Sequence, residues 1–317
     1  MKRFLSIIFT FFIITNLYSQ KKSKKLSIDS LTHKKTKSVG IITSYLDNND
    51  GLYLELSDSI FKKEILVVTR FVQLPSNYSG YINAGSKTSE QVVKFEKKGE
   101  KIYLRQESFS NIANETDPIS TSVTKNNLSP IIASFKILNK EKNRYLIDVS
   151  SFFLKDSPGF NIIRKTERDR YKIGRADKNR SSIDSANSYP QNLEIRHTLT
   201  FEASNPPRGN NSKTLSFQIN HSFIELPKNP MPVRHTDHRV GWFSVEKTNY
   251  SSQELKSDSY RIAQRWRLEP KDREAYNNGE LSEPVKQIIY YLDPATPIKW
   301  RKYFKQGIED WNEAFEE

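Results

Sequence analysis

The sequence predicts a mainly β N-terminal domain, with antiparallel sheets in a sandwich-like arrangement, followed by one strand and one long amphipathic helix. Short strand-like segments recur at close spacing across Leu52–Leu226, a pattern typical of antiparallel sheets and sandwiches. After Pro297 the spacing of apolar residues changes to that of a helix. These two observations place a β-rich domain at 51–228, a connecting segment at 229–283 and the start of a further domain at 284–317.

The strands follow from their apolar patterns. Leu52–Leu56 alternates, and Glu64–Val72 is a continuous β-branched run that suits a buried strand. Two such arms separated by a polar turn indicate a hairpin. We predict three hairpins, at Gln91–Gln106, Ile131–Val149 and Asn192–Leu226. The charged stretch Lys165–Ser188 lacks periodicity, and we interpret it as a surface excursion with room for one short helix.

The C-terminal segment reads as a buried strand followed by a helix. Lys286–Asp293 is the strand, Thr296 can cap the helix, and Pro297 suits its first position. One apolar stripe then recurs at helical spacing: Trp300, Tyr303, Phe304, Gly307, Ile308, Trp311, Ala314 and Phe315. A strand that feeds a crossover helix normally continues into a parallel strand. We therefore expect the domain that begins here to be unfinished within this chain.

The N-terminus has the layout of a cleaved export signal at 1–20. Basic residues precede the apolar run Phe4–Ile14, which is shorter than the about 20 residues that span a bilayer. The sequence therefore predicts an exported protein in the periplasm, on the outer-membrane surface or secreted, without a transmembrane helix. We expect 21–50 to be a basic, poorly ordered segment. Its run Lys21–Lys25 is interpreted as a solvated tail, with binding to an anionic surface as the alternative.

Composition narrows the classes of partner. The formal charge is +13, but nine basic residues and one acidic residue lie between Met1 and Gly40, so the rest of the chain is only modestly basic. Acidic residues also interrupt the basic and aromatic stretch around Trp266, and we predict no nucleic-acid partner. The chain has no cysteine, so burial of apolar surface has to stabilise it without disulfides.

Catalytic motifs are missing from the sequence. It contains no HExxH, GxSxG, P-loop or GxGxxG pattern, so we assign no catalytic and no metal-binding residue in this chain. His197 and His221 lie on the two arms of one hairpin and could face each other. We interpret them as surface residues in preference to metal ligands.

The densest polar group is the loop Pro230–Phe243, PMPVRHTDHRVGWF. Its candidate residues are Arg234, His235, Asp237, His238 and Arg239. Guanidinium and carboxylate groups pair in bidentate fashion, which favours a structural, ion-paired loop. Imidazole and carboxylate groups also suit zinc, so a metal or inhibitory contact stays open as the alternative.

This loop is the first of several blocks that together resemble a known family. After it come RWRLEP (Arg265–Pro270) and GELSEPVKQIIYYLDPATPIKWRKYFKQGIEDWNEAFEE (Gly279–Glu317). In that order they resemble secreted bacterial zinc-dependent metalloproteases, in which a signal peptide and N-terminal domains of unknown function precede a metzincin-like catalytic domain. Tyr53–Phe71 and Pro130–Ile137 match more weakly.

The resemblance implies that 284–317 is the first strand and first long helix of an α+β metallopeptidase domain. The zinc site of the family, an HExxH with a third histidine, follows that helix, so it has no counterpart here. The resemblance thus implies a zinc metalloendopeptidase as the parent protein, acting on protein or peptide substrates. These 317 residues would be an inactive part, with the remainder of the catalytic domain as their partner.

Two further expectations concern function. A pro-segment aspartate blocks the zinc in some metzincins, and Asp237 is a speculative inhibitory zinc contact of this kind. The alternative to the peptidase is a non-enzymatic, β-rich envelope module that binds a protein or a glycan.

Overall fold

The computed structural model describes residues 26–251 and 256–316 and divides into two compact units. The first unit comprises the described residues of Met1–Phe109 together with Thr124–Lys228, and the second comprises those of Ser110–Val123 and Asn229–Glu317. The predicted export signal and the basic run Lys21–Lys25 lie outside the described residues. Among the described residues, none of the helices has the length and apolar character needed to cross a membrane.

The first unit is built on one sheet of twelve strands, in which every pairing is antiparallel. The strands are β1 (Thr36–Ser38), β2 (Thr43–Leu46), β3 (Leu52–Ser57), β4 (Glu64–Gln73), β5 (Lys87–Lys98), β6 (Lys101–Glu107), β8 (Ile131–Glu141), β9 (Arg144–Asp148), β10 (Ile173–Ala176), β11 (Ser182–Ser188), β12 (Asn192–Ala203) and β13 (Thr214–Glu225), while β7 (Asn111–Ile112) belongs to the second unit. Their spatial order is β1-β2-β3-β9-β8-β6-β5-β4-β13-β12-β10, and β11 also pairs with β12.

The helices that precede β10 are short. They are α1 (Ile28–Thr32), α2 (Ile119–Asn126), α3 (Ser150–Phe153) and α4 (Lys165–Tyr171). Two 3₁₀ turns lie at Asp58–Lys62 and Lys178–Arg180. The unit therefore depends on strand pairing, because these helices contain too few turns to be stable without the sheet.

Alternation explains why these residues form strands. Leu52, Leu54 and Leu56 are buried while the residues between them are partly exposed, as the period of two in a strand requires. The same pattern holds for Ile65 and Val67 in β4. The three predicted hairpins are all present, as β5–β6, β8–β9 and β12–β13, so the β-rich prediction is confirmed.

The two ends of the sheet approach each other, which makes it nearly closed. The Ser44 hydroxyl donates to the Ala186 carbonyl at 2.8 Å, and the Ser188 hydroxyl donates to the Ile42 carbonyl at 2.6 Å. The Ser188 amide donates to the Ser38 hydroxyl at 2.8 Å. Side-chain hydrogen bonds thus connect β1 and β2 to β11. The sandwich-like arrangement of separate sheets was wrong, because one sheet curls until its ends meet.

The interior of this sheet holds the core. A larger cluster lies around residues such as Leu54, Phe95 and Ile147, and a second lies around Phe201 and Phe217. Full burial of one such side chain contributes about 1.5–3 kcal/mol relative to exposure. Without disulfides, this burial is the main source of stability for the unit.

Residues 26–50 are ordered, contrary to the prediction of a poorly ordered segment. The Ser27 hydroxyl caps α1 by accepting from the Ser30 amide at 3.0 Å, and Ile28 is fully buried. The Ile28 amide donates to the Glu141 carboxylate at 2.7 Å. The segment has little apolar periodicity in its sequence, because hydrogen bonds to side chains of a distant strand hold it in place.

The excursion predicted at Lys165–Ser188 contains α4 but also β10 and β11. We missed β11 because only Ile183, Ala186 and Ser188 are buried along it, and most of its residues are small and polar. Its register with β12 also shifts between Ile183 and Ser185, which disrupts the period of two.

The second unit contains a small sheet in the order β15-β14-β7. β14 (Ser244–Asn249) and β15 (Asp258–Ala263) are antiparallel, and β7 is parallel to β14. The helices of this unit are α5 (Arg273–Asn277), α6 (Ile298–Glu309) and α7 (Asn312–Glu316). Ala263 is the one apolar residue that is buried among the described residues of this unit.

The predicted buried strand at Lys286–Asp293 is not formed in the structure, and its apolar residues are exposed, with Tyr291 at 89%. A buried strand needs partners for its amide and carbonyl groups, and the described residues of the unit supply no ladder for it. The helix after it begins at Ile298 with Pro297 in the N-cap position, so Thr296 does not cap it. It also ends at Glu309, before Trp311.

Gly40 offers a direct test of sheet closure. A Cβ atom at Gly40 would lie 2.3 Å from the Tyr189 carbonyl oxygen, whereas one at Gly80 would meet nothing within 4 Å. We expect Gly40→Ala to separate the ends of the sheet and to lower the free energy of unfolding by about 2 kcal/mol. Urea unfolding followed by circular dichroism measures this, with Gly80→Ala as the matched control. Equal stability of the two variants would contradict the closure.

Candidate functional site

The loop around Asp237 is held together by one ion pair. The Arg239 guanidinium donates to both oxygens of the Asp237 carboxylate, from Nε at 2.9 Å and from Nη2 at 2.6 Å. The Arg239 amide also donates to Asp237 Oδ1 at 2.9 Å, and the Val240 amide donates to the Asp237 carbonyl at 3.1 Å. The guanidinium of Arg239 and, to a smaller extent, its backbone amide hold the pKa of Asp237 below its usual value. The pair is exposed, so its effect is to shape the turn.

The flanking residues attach this loop to β15. The Thr236 amide donates to the Arg261 carbonyl at 3.0 Å, and the His235 ring lies 5.0 Å from the ring of Tyr260. The Arg234 guanidinium lies 5.8 Å from the Trp242 ring. Backbone pairing and ring contacts therefore fix where the loop lies within the second unit.

The two histidines of the loop differ in environment. His238 is almost fully exposed, with Nδ1 3.8 Å from Asp237 Oδ1, whereas His235 contacts Tyr260. The described residues contain no group of three or more His, Cys, Asp or Glu side chains that could hold a metal ion. The described chain thus shows an ion-paired turn with both carboxylate oxygens of Asp237 already bonded.

His197 and His221 do face each other, but they are buried and not on the surface as we predicted. His197 pairs with Ile219 and His221 with Ile195, so both side chains lie on the inner face of the β12–β13 hairpin. Their Nε2 atoms are 2.8 Å apart and their rings are stacked at 4.9 Å. His221 Nδ1 lies 2.8 Å from the hydroxyl of Thr69, which is also buried.

Aromatic side chains surround this histidine pair. The ring of Phe153 is 5.6 Å from each imidazole, and the ring of Phe160 is 5.1 Å from that of His221. Burial lowers the pKa of His197 to about 4. Burial, with a smaller contribution from His197, lowers the pKa of His221 well below its usual value. At neutral pH both rings are uncharged, and one Nε2 donates to the other.

This histidine pair is a polar element of the core. Among the described residues, no third His, Cys, Asp or Glu side chain joins it to form a metal site. His197 Nδ1 has no hydrogen-bond partner among the described residues. Two imidazoles and a hydroxyl in an aromatic shell form a short hydrogen-bonded chain that aligns β4, β12 and β13. Sequence alternation already places His197 on the face of Ile195 and Leu199, and His221 on the face of Ile219 and Phe223, so that signal could have identified their burial.

The apolar stripe of the C-terminal helix is exposed throughout its length. No residue of α6 or α7 is buried. The large side chains of the stripe keep between 43% and 63% of their surface exposed: Trp300, Tyr303, Phe304, Ile308, Trp311 and Phe315. Such a contiguous apolar surface is typical of a protein interaction site.

Sequence reasoning missed a cleft of about 430 Å³ in the first unit. The side chains that line it come from the end of β4, the connection to β5 and the segment that leads into α4, and include Tyr78, Tyr81, Asn161, Arg164 and Glu167. These segments are far apart in the sequence. The one local signal was Tyr81 in the polar connection Ser76–Ser86, where an aromatic residue has no strand to join.

The comparisons with known proteins identify two family models. The model described as "Domain of unknown function (DUF5117)" matches residues 85–271, more than half of the chain, so the chain belongs to this family. A second model, "Domain of unknown function (DUF5118)", matches residues 25–74. No curated protein and no solved structure matches the chain.

The histidine pair predicts acid sensitivity of the first unit. The unfolded chain binds a proton at His197 near pH 6.5, whereas the folded unit does so only near pH 4. Protonation between these values therefore favours unfolding, and stability falls as the pH drops through this window. The loss is about 1.4 kcal/mol for each pH unit and each histidine, or about 3 kcal/mol in total for His197 alone.

Urea unfolding at several pH values, followed by circular dichroism, measures this loss. We expect the double variant His197→Phe with His221→Phe to reduce the slope of stability against pH between 6.5 and 4. The exposed-site variant His33→Asn serves as control and should keep the full slope. An unchanged slope in the double variant would show that other groups cause the acid sensitivity.

Proposed function

We propose that this member of the DUF5117 family is the N-terminal part of an exported zinc-dependent metalloendopeptidase. In this proposal, 284–317 begins the catalytic domain, and the first unit together with the connecting segment 229–283 precedes it. The activity of the whole protein is hydrolysis of peptide bonds in protein or peptide substrates, by water that a zinc ion activates. The described residues do not fit a zinc site, since no three ligand side chains converge, and no catalytic step is assigned to them.

The observation that carries the proposal is the exposed apolar stripe of α6 and α7. A helix with one apolar face is stable when that face is covered by other protein. Trp300, Tyr303 and Phe304 lie in the first turns of α6 and are about half exposed. In the metalloproteases that the chain resembles, the matching helix packs on the catalytic sheet, which would cover such a stripe.

The segment before α6 supports the same proposal. An apolar run with the composition of a buried strand is formed by Ile289, Tyr290 and Tyr291. These residues are exposed, and no strand in the described part of the unit pairs with them. Strand residues of this kind pair when a neighbouring strand is available. A catalytic sheet that includes Lys286–Asp293 would supply that neighbour and bury these side chains.

Export completes the proposal. The leader predicted at 1–20 directs the protein to the periplasm, the outer-membrane surface or the medium. The absence of cysteine fits a protein that keeps its stability in an oxidising compartment without disulfide exchange. The sheet of the first unit supplies that stability through apolar burial.

The loop at Asp237 has a specific place in this proposal. Asp237 is a candidate for an inhibitory zinc contact, and in the present structure Arg239 occupies both of its carboxylate oxygens. The carboxylate can bind a metal only after it exchanges the guanidinium for the ion. Arg239 would then set how readily the aspartate is released.

Activity of the full-length gene product tests the proposal. We expect purified protein to contain about one zinc per chain and to hydrolyse denatured casein, with loss of hydrolysis on addition of 1,10-phenanthroline and recovery with Zn²⁺. The 317-residue chain alone should be inactive. Full-length protein that binds no zinc and shows no chelator-sensitive hydrolysis would contradict the proposal and favour the non-enzymatic envelope module.

The role of Asp237 has its own test in the same full-length protein. If Asp237 blocks the zinc, Asp237→Ala should shorten the lag before hydrolysis begins, and Arg239→Ala, which frees the carboxylate, should lengthen it. Progress curves with a fluorogenic peptide measure the lag. His238→Ala, which changes an exposed neighbour, is the control. An Asp237→Ala protein with the wild-type lag and zinc affinity would show that the inhibitory assignment is wrong.

A further inference from the structure

The cleft in the first unit has a buried polar group at its base. Tyr78 is 97% buried, and its ring packs against Phe217 at 4.9 Å and Tyr171 at 5.6 Å. The Tyr171 hydroxyl donates to the Tyr78 carbonyl, which fixes the backbone there. These contacts hold the Tyr78 ring in one orientation beside the cleft that it lines.

The Tyr78 hydroxyl has no hydrogen-bond partner among the described residues. It is also not fully enclosed by protein atoms. The hydroxyl therefore keeps some accessible surface, and it belongs to a residue that lines the cleft. Burial raises the pKa of Tyr78, so the hydroxyl stays neutral and can both donate and accept. A polar group fixed in this way, with its hydrogen-bonding capacity unused, is a typical feature of a ligand site.

Tyr81 provides an aromatic surface at the rim. Its side chain is 97% exposed, although it lies beside Ile82 in the wall of the cleft. An aromatic ring that is not buried offers both faces for stacking. The C–H faces of a sugar ring are the complementary surface, since they are apolar while the ring edge carries hydroxyl groups.

The charges in the cleft nearly balance. Lys87 is paired with Glu90 at 2.6 Å. The Arg164 guanidinium forms no ion pair or hydrogen bond among the described residues, and one oxygen of Glu167 accepts from the Thr166 hydroxyl at 2.8 Å. The cleft therefore presents one free guanidinium and one carboxylate with spare acceptor capacity. An anionic ligand would gain from Arg164 but would be repelled by Glu167.

A neutral polyol satisfies both groups. Its hydroxyls can accept from Arg164 and donate to Glu167, and the Tyr78 hydroxyl can take either part. The volume of about 430 Å³ lies within the range of small-molecule sites. We propose that this cleft binds a neutral oligosaccharide, with Tyr81 stacking on a sugar ring and Tyr78, Arg164 and Glu167 holding its hydroxyls. The site lies wholly in the first unit, so it is independent of the peptidase proposal.

Calorimetry on the 317-residue protein tests this inference with four neutral probes: cellotriose, mannotriose, xylotriose and chitotriose. We expect at least one to bind saturably, with a Kd of about 1 mM or tighter. Tyr78→Phe removes only the hydroxyl and should weaken that binding about tenfold. Tyr81→Ala and Arg164→Gln should weaken it by a similar factor.

Matched controls keep the test specific. Tyr103→Phe on β6 and Arg175→Gln on β10 make the same chemical changes outside the cleft and should leave the affinity unchanged. The melting temperature of Tyr78→Phe should equal that of the wild type, because its hydroxyl bonds to nothing. The proposal is overturned if none of the probes binds, if trigalacturonate binds more tightly than the neutral sugars, or if the cleft variants bind as the controls do.

Discussion

Closure of the twelve-stranded sheet is the constraint on which the rest of the first unit depends. Hydrogen bonds from Ser44 and Ser188 connect β2 and β11, where no regular ladder exists, and only a nearly closed sheet encloses the two apolar clusters. The buried pair of His197 and His221 and the ring of Tyr78 have fixed positions because aromatic side chains pack against them. The segments that match the two family models both contribute strands to this sheet. Residues 25–74 include β4, which lies between β5 and β13, so the two matched segments build one sheet.

The second unit depends on a different condition. Its small sheet buries Ala263, while the large side chains of α6 and of Lys286–Asp293 are exposed in the described chain. Hydrophobic burial dominates folding energetics, so a unit with so little of it needs additional apolar contacts to be stable. Under the proposed function, a catalytic domain that continues from α6 would provide those contacts, which is why the exposed stripe supports that proposal more than any single polar residue does. The ion pair of Asp237 and Arg239 fixes the loop that precedes this small sheet.

Much of the sheet could be predicted from the sequence, because the alternation of residues such as Leu54 and Val67 is a local consequence of one-sided burial. The sequence did not predict four strands of this sheet, namely β1, β2, β10 and β11. Their residues are largely polar, and hydrogen bonds to strands distant in the sequence hold them in place. The prediction of a strand at Lys286–Asp293 was wrong because apolar composition alone does not supply a strand to pair with. The alternation in β12 indicates that His197 is buried. We predicted it to be on the surface because histidine is a polar residue type. The cleft could not be predicted, because Tyr81 and Arg164 meet only through the fold.

Hydrogen exchange of the α6 amides tests the central claim most directly. The 317-residue chain and the longer protein that the proposed function assumes are compared by mass spectrometry over peptides that cover Ile298–Glu309. If the apolar stripe packs on the rest of a catalytic domain, these amides exchange within seconds in the shorter chain and are protected by at least about a hundredfold in the longer one. Equal protection in the two proteins would show that the helix needs no further protein to cover it, and would contradict the account.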